Sequence, residues 1–386
     1  MREESCTGAG GMLLAEERKN TMEEKNMCVG KIVCGLSVLS VCAGLLVSLS
    51  SCSKGGEVAQ KDDGKLNIYT WTYYTPEDAV KQFEQEFGIH VTIDEYASNE
   101  EMYAKLRAGG GKGYDIVVPS QDYSSIMIKQ GMLREIDQSK FTNRENINPK
   151  VLEKATYDPT MKYCVPYYFG AAGISVNKAK VPGGDYPRDW SIFADKRFAG
   201  HATMMDDMRE VIGDALVSLG YDVNSLDDAQ LEQAKQLIVS SWKPNLVKFD
   251  AESFGKSFAS GDFWLCQGYA EVIYGEVSED KQEDMIDFFI PAQGGPAYLD
   301  SLCILKDSQH YAAANEFINF IHRPEIYAMF LDYFRFPCFV NPAAEQYMTT
   351  TPMYEAGEML NCELKLDLGD GLDKYNTLWQ DVRFAD

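Results

Sequence analysis

Positive charge is scarce in this 386-residue chain, where 36 Lys and Arg stand against 59 Asp and Glu for a formal net charge of −23. That balance excludes a main activity that grips nucleic acid through its phosphates. It equally excludes a basic patch for anionic lipid. Histidine is scarcer still, with only His90, His201, His310 and His322, and no two of them stand at metal-ligand spacing. Cysteine shows no pairing pattern. Beyond residue 52 the chain has Cys164, Cys266, Cys303, Cys338 and Cys362, odd in number, widely spaced and without a CxxC. Such a set is neither a disulfide framework nor a zinc ribbon, and it reads as buried small hydrophobes. No GxSxG elbow occurs. Gly255-Lys256-Ser257 ends like a phosphate loop, but Asp250 stands where the leading glycine belongs. No metal and no cofactor is called for.

Long apolar runs are absent except for residues 32–50, IVCGLSVLSVCAGLLVSLS. The run follows Lys25 and Lys31 and ends in Leu49-Ser50-Ser51-Cys52, the order of a secretory signal. Residues 1–51 are therefore expected to be a signal peptide. Cys52 is expected to be lipidated as in a bacterial lipobox, and residues 52–63 to form a tether. An uncleaved membrane anchor is the alternative. The acidic stretch 1–26 is unlike a basic n-region and reads as an over-extended start, with translation beginning at Met22 or Met27. Residues 1–51 hold 6 acidic and 5 basic side chains, so the mature 335 residues carry −23 + 1 = −22.

What is abundant is aromatic. The 22 Tyr, 19 Phe and 5 Trp exclude disorder for most of the chain, and length suggests two domains. Aromatics with excess carboxylates are the materials for holding an organic cation. From residue 65 short apolar strands alternate with helical stretches. Strands are expected at 66–71 (LNIYTW), 89–96 and 115–118, and helices at 76–87, 98–108 and 123–130. This β-α-β-α-β order predicts a parallel sheet covered by helices on both faces, with ligands at the carboxyl ends of its strands, where Trp71 and Ser120 stand. A second unit is expected from 190, with strands at 202–205, 246–249, 263–267 and 287–290. A strand at 301–305 and a helix at 312–321 return to the first unit, and the last forty residues read as mainly helical. The fold class is α/β in two lobes, with more than one chain crossing between them.

Three constellations carry chemistry. Trp71-Thr72-Tyr73-Tyr74 ends the first strand. Asp207 and Glu210, at i and i+3, share one face of a helix start. Tyr298 and Asp300 alternate onto one side of an extended segment. Each also has an ordinary reading, as core aromatics or as helix-capping acids.

In unbroken order, NIYTWTYYTPEDAVKQFEQEFGIHV, SNEEMYAKL, GYDIVVPS, VPYYFGAAGISVN, DDMREV, GGPAYLDSL, INFIHRPEIY and LWQDV resemble the bacterial spermidine/putrescine-binding proteins of polyamine ABC importers, from about residue 65 to 383. The resemblance implies a type II periplasmic-binding fold, with residues 64–173 and 299–345 in lobe 1 and 174–298 and 346–386 in lobe 2. It implies a monomeric, non-enzymatic receptor outside the cytoplasmic membrane, held by a lipid anchor, which takes putrescine or spermidine and delivers it to a membrane permease. By the same resemblance Trp71 and Tyr74 are ligand-contacting aromatics and Ser120 is a polar contact. Asp207 and Glu210 receive one ammonium end, Asp300 receives another amine, and Gln380 is a polar contact near the chain end. Tyr298 and Phe336 replace a Trp and a Tyr of the related spermidine binder. Cys266 replaces a Trp and Asp122 a Tyr, which leaves the preferred polyamine open. Thr72, Tyr73 and Gln267 complete the expected ligand-binding set. Two other readings stay open. Tyr73-Tyr74 and Tyr167-Tyr168 offer hard oxygens for ferric iron, and two distant carboxylates would suffice for a secreted glycan hydrolase.

Overall fold

The computed structural model describes residues 63–385 apart from Tyr73, Gly110, Pro182 and Gly183. The expected signal peptide, the lipidated Cys52 and all but the last residue of the expected tether lie outside the described residues.

The first five strands are β1 (Lys65–Trp71), β2 (His90–Tyr96), β3 (Ile116–Val117), β4 (Leu133–Arg134) and β5 (Cys164–Ala171). The next five, β6 (Gly173–Asn177), β7 (Ala202–Met204), β8 (Leu246–Phe249), β9 (Leu265–Gly268) and β10 (Ile286–Phe289), form a separate sheet in the order β10-β6-β9-β7-β8. The chain then returns through β11 (Pro296–Leu305) and β12 (Glu363–Leu364). These join the first sheet as β12-β11-β3-β1-β2, with β4 and β5 also paired to β11. The result is an α/β protein of two lobes, each built on a mixed sheet.

Side-chain alternation explains why the first sheet needs cover on both faces. In β1, Leu66 and Ile68 enter one buried cluster while Tyr69 enters another. The first helix, Glu77–Phe87, has Pro76 at its N-terminal boundary and stops at Gly88, whose φ of 66° places it in the left-handed region that glycine adopts without steric cost.

Two expectations need correction. The returning strand begins at Pro296, five residues before Ser301, because its early half pairs with both β5 and β12. The constellation of Tyr298 and Asp300 is thus part of the strand. The second concerns lobe membership at the chain end, which is mainly helical as expected. Residues 363–364 add β12 beside β11, so the span expected in lobe 2 contributes a strand to the first sheet. The terminal helix Leu372–Phe384 buries Tyr375, Leu378, Trp379 and Val382 in the second lobe's core.

Candidate functional site

Asp300 is a buried carboxyl held by two hydroxyls. It lies on β11 at an irregular point of the pairing with β5, where Asp300 opposes Tyr168 but Ser301 opposes Pro166, leaving Tyr167 as the extra residue. Pro166 has no N–H to give the ladder, and such bulges re-aim side chains beside functional sites. The Ser301 N–H turns instead to the Pro119 carbonyl at 3.1 Å. The Asp300 carboxyl accepts from Ser120 Oγ at 2.6 Å and from the Tyr74 hydroxyl at 2.8 Å. Ser120 stands at the N-terminal boundary of the helix Gln121–Lys129 without capping it through its side chain, since that hydroxyl is spent on Asp300. Burial pushes Asp300 up to about 6 against these two hydrogen bonds.

Around this carboxyl is a cavity of about 450 Å³. From the expected set, Trp71, Thr72, Tyr74, Ser120 and Asp122 line it, as do Asp207, Tyr298, Asp300 and Phe336. Trp71 is held by its indole N–H on the Val118 carbonyl at 2.9 Å, and Thr72 Oγ1 donates to the Tyr96 carbonyl at 3.2 Å. Tyr298 lies across Gly170, where a Cβ would stand 2.5 Å from the ring. Only glycine lets that ring form the wall. Phe336 stacks on Tyr168 with centroids 3.9 Å apart, and Tyr269 meets Tyr298 edge-on at 5.6 Å. Asp122 is raised by burial, with Lys365 and Arg209 among the groups that oppose the rise.

Several expected residues are placed differently. Glu210 is fully buried and does not line the cavity. One of its oxygens receives both the Lys365 ammonium and the Tyr269 hydroxyl, the latter at 2.9 Å. Asp207 lines the cavity, yet its Oδ1 also accepts from the N–H groups of Arg209 and Glu210 at 2.8 and 3.1 Å, so the capping reading holds beside the cleft position. Cys266 and Gln267 are 0% exposed and sit behind the wall, because β9 runs inside its sheet. The Gln267 side-chain oxygen Oε1 accepts from the Met205 N–H at 2.9 Å. Gln380 is exposed on the terminal helix, beside Lys235 and Phe384 on another surface, because the inward face of that helix belongs to Tyr375, Leu378, Trp379 and Val382. Tyr73 lies outside the described residues.

The cavity also contains residues that the sequence reading missed. Lys365 follows β12 directly, and its N–H bonds to the Ala297 carbonyl at 3.1 Å. Its side chain is 14% exposed. Burial pulls its pKa down, but the surrounding acids, Glu210 foremost, hold it above lysine's ordinary value. Glu271 also lines the cavity, and burial pushes it up to about 7, with the charge of Asp300 adding to the rise. Gln121 receives the Leu299 N–H at 2.8 Å and donates to the Lys365 carbonyl at 2.6 Å, fixing the relative position of β11 and Lys365. Asn99 bonds the Ser120 backbone and hydroxyl at 3.2 and 3.1 Å. The signal for Lys365 was the alternation Glu363-Leu364-Lys365-Leu366 before a glycine at 369, which is a strand pattern.

Four carboxyls, one lysine that is already paired, and a lining of flat rings make a site for a cationic chain. Rings cover methylenes and attract ammonium groups, at about 0.5–2 kcal/mol per cation–π contact, while buried carboxyls without a cation are costly.

Comparison with known proteins gives the same direction. A family model described as bacterial extracellular solute-binding protein matches residues 78–357. The putrescine/cadaverine-binding protein of Pseudomonas aeruginosa is 33% identical over 265 residues, which cover 67% of this chain and 74% of that protein. The spermidine/putrescine-binding periplasmic protein of Escherichia coli is 31% identical over 350 residues, or 88% of this chain and 97% of that one. Among solved structures, the TpPotD lipoprotein of Treponema pallidum is 48% identical with a TM-score of 0.77, over 83% of this chain and 100% of that chain. The chain belongs to the bacterial extracellular solute-binding proteins, in the group that contains the spermidine/putrescine-binding periplasmic proteins.

Proposed function

We propose that this protein is the extracytoplasmic polyamine receptor of an ABC importer and that its cleft is set for a linear diamine in preference to spermidine. The family supports the first part. The observation that carries the second is the Lys365 ammonium on Glu210. Lysine is a four-methylene chain ending in an ammonium, so the protein supplies from within a group much like one end of a diamine. The acid that the resemblance assigned to a ligand ammonium is then engaged by a tethered one. One ligand ammonium is taken by Asp300 with Glu271, the other by Asp122 and Asp207, and the rings of Trp71, Tyr269, Tyr298 and Phe336 cover the methylenes. A third ammonium at the Glu210 end meets a cation instead of a free acid, and like charges brought together discriminate strongly.

Binding proceeds without chemistry. The lobes close on the ligand by flexing where the chain crosses, at Ala172 between β5 and β6, at residues 290–295 between β10 and β11, and at residues 365–371 between β12 and the terminal helix. The closed form is what a membrane permease receives from a monomeric receptor. The sequence Leu49-Ser50-Ser51-Cys52 and the lipoprotein standing of the Treponema relative support anchoring through a lipid on Cys52.

Calorimetric titration with putrescine, cadaverine and spermidine, with FeCl3 as the test of the metal reading, decides the matter. A diamine should bind more tightly than spermidine. Spermidine binding more tightly than both diamines sinks the length preference. Heat from FeCl3 alone sinks the polyamine reading.

A further inference from the structure

Cys164 and Cys303 are 139 positions apart in the chain, yet they are direct partners in the antiparallel pairing of β5 and β11. Their sulfurs are 3.2 Å apart. Directly opposed residues of an antiparallel pair have Cα atoms about 4.5 or 5.5 Å apart, and both values lie inside the range that a disulfide spans. The two side chains are 2% and 0% exposed. No sulfur–sulfur contact joins Cys266, Cys338 or Cys362 to another cysteine among the described residues.

We propose that Cys164 and Cys303 are a redox pair that closes to a cross-strand disulfide when the exported chain meets a small-molecule disulfide. The exchange is balanced. The thiolate of one cysteine attacks the disulfide of the oxidant and releases one thiol. The thiolate of the second attacks the resulting mixed disulfide and releases the other. Two protein thiols become one disulfide, and the oxidant becomes two thiols. Because the pair is buried in the folded lobe, exchange takes place as the chain folds. Packing then shields the bond from later reduction. The loop it closes contains all five strands of the second sheet. The bond lies three residues from Asp300, on the two strands whose other ends lead across to the second lobe. A link across so long a loop restricts the unfolded chain strongly, so it stabilises the crossings while leaving the cleft residues untouched.

The test is differential labelling. The full chain is refolded from its reduced state in a buffer of reduced and oxidised glutathione, denatured without reductant in a light alkylating agent, then reduced and treated with the heavy form. Heavy label is expected on the Cys164 and Cys303 peptides and light label on Cys266, Cys338 and Cys362, with a cross-linked 164–303 peptide in the unreduced digest. Light label on both, or glutathione on each without the cross-link, overturns the proposal. The melting temperature of the oxidised protein should exceed that of the reduced protein by about 5–10 °C, with putrescine affinity changed less than twofold. In Cys303→Ala the redox dependence of melting should vanish. Its persistence there overturns the assignment of the pair, and the labelling result on the unsubstituted chain does not depend on how well that variant folds.

Discussion

The two ends of the cleft handle buried negative charge in opposite ways. At one end Asp300, bonded by the Ser120 and Tyr74 hydroxyls, is pushed up to about 6 and Glu271 up to about 7, and neither is in an ion pair among the described residues. At the other end Glu210 is buried more completely, but Lys365 answers it. The first arrangement leaves its charge to be completed by an exchangeable partner, while the second is complete within the chain. A binding site therefore differs from a structural ion pair in which side supplies the cation, not in how acidic it is. Length selection follows from where the line between the two falls.

Removing the acid from the exchangeable end should have the largest effect. Asp300→Asn keeps the shape but removes the charge partner, which typically costs about 2–5 kcal/mol, or about 30-fold to several thousand-fold in affinity for every polyamine by calorimetry. Unchanged affinity would place the ammonium elsewhere. The pH response comes next. A ligand cation binds the ionised form of Asp300 and Glu271, whose pKa values are raised in the unliganded protein, so affinity should fall as pH drops through 7 and then 6. Between pH 8 and pH 5 a loss of at least about tenfold is expected, with proton release on binding near pH 6.5 visible as buffer-dependent heats.

Converting the self-contained end into an exchangeable one should move specificity by less. In Lys365→Gln the Glu210 carboxyl is left without its internal cation. The spermidine-to-putrescine affinity ratio should rise about tenfold, the equivalent of about 1.4 kcal/mol, while the unliganded protein becomes less stable. A ratio that does not move would show that Lys365 does not set length. Smaller still is the effect of Glu271→Gln on the empty protein. An acid whose pKa is raised by folding destabilises the fold as pH climbs above its unfolded value and through its folded one. The substitution should therefore raise melting by about 2–5 °C at pH 8 and leave it unchanged at pH 4, as thermal scans at the two pH values would report. The smallest effect belongs to Gln380→Ala. Its side chain is exposed away from the cleft, so affinity should stay within about twofold.

The exchangeable end was largely legible in the sequence. Trp71 and Ser120 flank strand ends where an α/β sheet presents its ligands, and Asp300 with Tyr298 obeys a two-residue period that any extended segment imposes. The self-contained end was not. Glu210 is recognisable as an acid in a helix start, but what neutralises it stands 155 positions away, and the alternation at 363–366 marks a strand there without saying which acid its lysine meets. Gln380 was misassigned for a related reason. A polar residue beside a buried Trp379 looks the same whether its helix faces the cleft or the solvent, and the second lobe's core decides which. Cysteine spacing failed likewise, since the proximity of Cys164 and Cys303 is a property of sheet order and not of distance along the chain.

The bulge opposite Asp300 also bears on how the fold tolerates error. A strand that slips by one residue turns every side chain to the other face, which here would swing a cleft carboxyl into the hydrophobic layer. Pro166 can meet β11 only where no amide is required of it, so the pairing has one registration point that cannot slide. Length changes in the turn at 159–163 are then absorbed before Pro166 and are not passed on to β11. The carboxyl at the centre of the cleft keeps its aim by virtue of a hydrogen bond that its neighbouring strand is unable to make.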